Sequence, residues 1–132
     1  MNKISATVVT IQNVQNLTQV TFATAAGELK MMGLELPQSI KQNTEVILTS
    51  KATNIAIAKR SNTMLSFNNQ LCVTIKAIEM GELLCSLLLA YDETLLESII
   101  TADSSKRMQL QVGESVTALI KSSDLSIAEV LS

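Results

Sequence analysis

The stretch "VGESVTALIKSSDLSIA", Val112 to Ala128, decides the fold. Val116 to Ile120 reads as a strand, and it ends abruptly in Lys121, Ser122 and Ser123 before an apolar rhythm resumes with Leu125 and Ile127. Nearly the same stretch occurs earlier as "NTEVILTSKATNIAIA", Asn43 to Ala58, where Lys51, Ala52 and Thr53 fill the same slots 70 positions upstream. Val46 and Val116, Ile57 and Ile127, and Ala58 and Ala128 coincide at that offset. A 132-residue chain with this internal match reads as two copies of one unit. Each copy is small enough to be marginal alone, so the copies are expected to lean on one another.

Working outward, residues 4–11, 17–24, 29–36, 44–50 and 54–60 read as strands of the first copy. Gly27 marks a turn, and Pro37 opens a short helical turn. The polar run 61–65 is the linker. The cycle then restarts with strands at 70–78, 83–91 and 95–101. Ser and Asp capping chemistry precedes a short helix in 102–110, and Val112–Ala128 supplies the last two strands. Five strands with one helical turn between the third and fourth is the element order of an OB-like barrel. The expected fold is therefore all-β: two tandem five-stranded OB-like Greek-key barrels, each with one short helical turn, over residues 1–60 and 66–132.

Composition removes several functions. Aromatic residues are 2% of the chain and the net charge is −2, so neither base-stacking platforms nor a broad basic face for nucleic acid is present. There is no histidine, the commonest general base and metal ligand. Cys72 and Cys85 lack metal-ligand spacing and read as reduced, buried thiols. With no 18-residue apolar run and no signal-peptide core, the chain is expected to be soluble and cytoplasmic. The carboxylates in "DETLLES" (92–98) are turn residues, no nucleophile–base pairing is visible, and an enzyme is not expected.

The second copy carries a longer pattern. Ser66, Asn69 and Leu71 open it, Ile100 and Thr101 stand in the middle, and Leu110, Gly113, Val116, Ala118, Ile120, Lys121, Ser122 and Ser123 close it. This resembles the molybdate-binding Mop domain of the molbindins, whose pattern opens Ser-x-Arg-Asn-x-Leu and ends in Ile-Lys-Ala/Ser-Ser. Two copies in tandem resemble the family's di-Mop arrangement. The resemblance implies oxyanion-binding residues at Ser66, Asn68, Asn69, Thr101, Lys121, Ser122 and Ser123, and at Lys51, Ala52 and Thr53 in the first copy. Three departures stand out. Asn68 replaces the family's Arg, Met31 stands as the first-copy equivalent of Thr101 and cannot donate a hydrogen bond, and Asn43 replaces Gly113 as a tolerated left-handed residue.

The chemistry fits the implied ligand. Molybdate or tungstate is a tetrahedral dianion that needs donors and positive charge. A Lys ammonium offers three donors and a hydroxyl one, and charge-assisted bonds are the strong ones. A site of donors alone would leave the proton of hydrogenphosphate unpaired, at a cost of about 1–3 kcal/mol. The resemblance thus implies a non-enzymatic binder with no cofactor and no direct cation ligand, serving storage or the sensing half of a regulator. It also implies a homo-oligomer, dimer or trimer, with oxyanion sites at interfaces between units. Contact with nucleic acid would need a separate domain upstream of Met1. The alternatives are a structural oligomerisation module with decayed sites and, against charge and aromatic content, a single-stranded nucleic-acid OB-fold. The better site is expected around Lys121, Ser122, Ser123, Thr101 and Ser66, the poorer around Lys51 and Thr53.

Overall fold

The computed structural model of the chain describes residues 2–25, 27–34, 36, 39–59 and 64–131. Its strands are β1 (Ile4–Val14), β2 (Leu17–Thr24), β3 (Gly27–Gly33), β4 (Glu45–Thr49), β5 (Ala56–Ala58), β6 (Asn69–Met80), β7 (Leu84–Tyr91), β8 (Thr94–Thr101), β9 (Ser115–Ile120) and β10 (Ser126–Val130). A helix, α1 (Ala102–Met108), separates β8 from β9, and 3-10 turns at Ala52–Asn54 and Ser122–Asp124 follow β4 and β9. No helix among the described residues is long and apolar enough to cross a membrane.

The strands form two antiparallel five-stranded sheets, in the orders β10-β4-β1-β2-β3 and β5-β9-β6-β7-β8. The two-barrel, all-β architecture is the one the sequence implies. Its connectivity holds a further feature: the last strand of each repeat joins the other repeat's sheet. Ser126 and Ile127 of β10 lie opposite Thr49 and Leu48 of β4, and Ala56 and Ile57 of β5 lie opposite Leu119 and Ala118 of β9. The run 61–65 therefore joins repeats that have already exchanged strands; its residues 61–63 lie outside the described residues.

Period-two burial explains why these segments are strands. Ile4, Ala6 and Val8 of β1 and Leu71, Val73 and Ile75 of β6 point into the core. In β7, Cys85, Leu87, Leu89 and Tyr91 are buried while the residues between them are more exposed, so a run helical in composition is strand by pattern. The same alternation places Cys72 on the outer face of β6, and it is exposed, not buried as the composition suggests. Cys85 is buried.

Each long first strand bends at a bulge, between Val8 and Thr10 in β1 and between Ile75 and Ala77 in β6. The bulge lets one strand pair with two neighbours, because the break in register re-aims its second half. Just before it, Gly113 N–H donates to Ile75 C=O at 2.7 Å and Asn43 N–H to Val8 C=O at 2.8 Å. Gly113 and Asn43 both hold positive φ, 90° and 73°, so Asn43 does take the left-handed role.

The repeats do not keep one offset. Asn2 and Asn69, which hold equivalent backbone, stand 67 positions apart, as do the cross-strand pairs Thr18–Gly33 and Cys85–Ile100. The offset becomes 70 only after α1, which lengthens the second repeat. The counterpart of Thr101 is consequently Leu34, not Met31. In the first repeat Pro37 and Gln38, where a helical turn is expected, lie outside the described residues.

Candidate anion site

Each sheet leaves two strands with an unpaired edge: β3 and β10 in the first, β8 and β5 in the second. Where those edges face each other a seam opens in the barrel wall. The second seam is a depression of about 450 Å³. Thr53, Asn54, Ile55 and Ala56 line it from the first repeat; Phe67, Leu84, Ile99, Ile100, Thr101, Ser104, Lys121 and Asp124 line it from the second. The site is thus a composite of both copies, a direct result of the strand exchange.

Local hydrogen bonds fix its walls. Ser98 Oγ, fully buried on β8, donates to Ile55 C=O at 2.6 Å and so holds the Thr53 turn against β8. Thr101 is the N-cap of α1: its Oγ1 accepts from Ser104 N–H at 3.0 Å and donates to Ser104 Oγ at 2.9 Å. Arg107 Nη2 donates to the same Ser104 Oγ at 3.3 Å. Lys121 caps the second 3-10 turn, which is closed by Asp124 N–H donating to Lys121 C=O at 2.9 Å. Its ammonium is exposed and makes no ion pair among the described residues.

β5, only three residues long, is followed by Lys59, whose ammonium lies 2.9 Å from the Glu114 carboxylate. That contact holds the Glu114 carboxyl below its ordinary range.

The first seam is chemically different. It has a volume of about 500 Å³ and is lined by Met31, Met32, Leu36, Leu125, Ile127 and Val130, with Ser123, Ser126 and Glu129 as its polar side chains. Among the described residues, no Lys or Arg lines it.

The ten expected binding residues therefore separate. Thr101 and Lys121 come together, joined by Thr53 from the other repeat. Ser123 faces the first seam, and Lys51, Ala52, Ser66, Asn68, Asn69 and Ser122 line neither. Ser66, Ser122 and Ser123, expected beside Lys121, do not line the second seam with it, because the chain crosses between barrels beside each turn. Asn69 has a structural task. Fully buried, it accepts from Lys30 N–H at 2.7 Å and donates to Lys30 C=O at 2.9 Å. Asn2 does the same for Glu97, at 2.7 and 2.9 Å, and also donates to Ser50 C=O at 3.2 Å.

Asn54, Ser104 and Asp124 are the polar residues of the second seam that motif reading misses. The signal for Ser104 was present, since a capping Thr implies a partner three residues on. Asp124 is the one carboxylate in the lining, so the seam is not made of donors alone. Rejection of hydrogenphosphate consequently does not follow from the donor set.

Two OB-like barrels, each completed by a strand of the other, with an ammonium and hydroxyls in one of the two seams, define a tandem barrel protein. Residues 65–127, the second repeat, match the TOBE domain. Over 96% of its length the chain is similar to ModG, a cytoplasmic molybdate-binding protein solved with molybdate bound, at 26% identity, 94% coverage of that chain and a TM-score of 0.89. It is also similar to a molybdate binding protein from Sporomusa ovata, at 36% identity over 45% of this chain and 88% of that one, with a TM-score of 0.44. Comparison with curated proteins finds no match.

Proposed function

We propose that the chain binds a tetrahedral oxyanion, molybdate or tungstate, in the second seam, as a cytoplasmic storage or sensing protein that leaves its ligand unchanged. The observation that carries this reading is the convergence of Thr53, Thr101, Ser104 and Lys121 from both repeats on one depression. An ammonium beside hydroxyls suits a dianion, whose oxygens are acceptors only. Similarity to ModG across nearly the whole chain supports molybdate as the ligand.

The chain assembles as a homo-oligomer, dimer or trimer. The supporting observation is the apolar rim: Leu84, which lines the seam, is 58% exposed, and neighbouring Leu83 is 80% exposed. Covering such residues with a second copy would also dry the site and strengthen its charged contacts.

Calorimetric titration with molybdate, tungstate and sulfate tests the reading, with light scattering on the same samples. Lys121→Ala should weaken molybdate binding about 10-fold to 100-fold, the worth of one charge-assisted contact. A wild-type protein that takes up no molybdate or tungstate sinks the proposal, and a monodisperse monomer in both states sinks the assembly.

A further inference from the structure

Ser104 Oγ accepts two hydrogen bonds, from Thr101 Oγ1 at 2.9 Å and from Arg107 Nη2 at 3.3 Å. A hydroxyl has two acceptor lone pairs and one hydrogen. Both lone pairs are therefore occupied, and the hydrogen of Ser104 is the one this cluster leaves uncommitted. Ser104 lines the second seam; Arg107 does not, yet its Nη2 lies 3.3 Å from the Ser104 hydroxyl. Arg107 is exposed and makes no ion pair among the described residues. Its charge is thus not cancelled by a bound carboxylate.

Resting on the reading of the second seam as an oxyanion site, we infer that Ser104 donates to the bound anion and that Arg107, acting through it, supplies the site's second positive charge. Thr101 then serves mainly to orient Ser104, because its own hydrogen points to Ser104 Oγ and not into the seam. The guanidinium does this in two ways. It polarises the Ser104 hydroxyl, since a donor hydrogen-bonded to a cation is a stronger donor. It also adds a long-range attraction that salt screens. Lys121 in the lining and Arg107 on Ser104 are the cations placed to act on the anion, against Asp124 in the lining and Asp103 in the first turn of α1.

The first seam lacks this apparatus. Leu34 stands where Thr101 stands in the second repeat, and among the described residues no cation lines that seam. The inference therefore assigns anion binding of this kind to one seam per chain.

Molybdate titrations of the full chain at low and moderate ionic strength, with thermal melts as a fold control, decide the matter. The variants are Ser104→Ala, Arg107→Ala, Arg107→Lys and Lys121→Ala. Arg107→Ala should bind about tenfold more weakly at low salt and lose part of the salt dependence, with an unchanged melt because the side chain is exposed. Arg107→Lys should recover the salt dependence and much of the affinity. Ser104→Ala should bind about fivefold more weakly, as for one neutral hydrogen bond. Wild-type affinity and salt slope in both Arg107→Ala and Ser104→Ala, with Lys121→Ala weakened, overturn this inference and leave the seam reading intact. An Arg107→Lys variant as weak as Arg107→Ala overturns the role of charge. Absence of binding by the wild type overturns both readings.

Discussion

Asn2 and Asn69 show how a single side chain can join two barrels. Each carboxamide mimics a strand neighbour, giving one donor and one acceptor to the backbone of a residue in the opposite barrel. Asn69→Ala would leave the Lys30 N–H and C=O without those partners in a partly buried setting. The expected loss is about 2–4 kcal/mol of stability, measured by urea unfolding. Ser50 illustrates the converse. Its hydroxyl is buried with no partner among the described residues, and the position 70 residues on is the fully buried Ile120. Ser50→Ala should raise the stability by about 0.5–2 kcal/mol; a lower midpoint would mean that the hydroxyl is satisfied by water.

Strand existence and extent were legible because period-two burial leaves a direct trace in the sequence: 17–24 is β2 as read, and 83–91 differs from β7 by one residue. The destination of the last strand was not legible. Alternation says which face of Ile127 or Ile57 is buried but not which sheet buries it, and the exchange is settled by contacts between distant segments. The mixed offset of 67 and 70 was hidden for a similar reason. The residues that anchor the 70-residue match all lie after α1. The same disposition explains the site. Lys121, Thr101 and Thr53 each carried a motif, but the sequence did not show that Thr53 would join the other two, which follows only from the crossover.

Two predictions belong to these elements. Gly113 holds φ of 90° with nothing near its Cα to clash, so Gly113→Ala carries only backbone strain, about 1–2 kcal/mol. Gly113→Asn should cost less, as Asn43 already shows, and chemical denaturation of the pair would rank them. The Lys59–Glu114 contact, which tethers the end of β5, makes a pH-dependent contribution of about 0.2–1 kcal/mol. Because the Glu114 carboxyl is held below its ordinary range, this contribution is present above that range and lost as pH falls through the lowered value. The difference in melting temperature between wild type and Glu114→Gln should therefore shrink on acidification.

At the scale of the molecule, exchange makes the barrels interdependent. Neither closes without a strand from the other, and the clamps at Asn2 and Asn69 cross between them. One cooperative unfolding transition should follow, with the same midpoint by circular dichroism and by calorimetry. Residues 1–65 expressed alone should not fold. Two separated transitions, or a folded half, would contradict that interdependence.

Thr24 Oγ1 and Tyr91 OH meet at 3.2 Å, although they occupy equivalent positions 67 residues apart, so they mark an approximate twofold axis through the molecule. Two identical single-repeat chains paired about such an axis would be obliged to carry two identical seams, and any substitution would appear in both. Covalent joining lifts that obligation. Ser98 beside one seam and Met31 beside the other are equivalent positions with different chemistry. The two openings of the tandem chain can thus diverge, one lined by an ammonium and hydroxyls and the other by thioethers and aliphatic groups, each free to take a separate use.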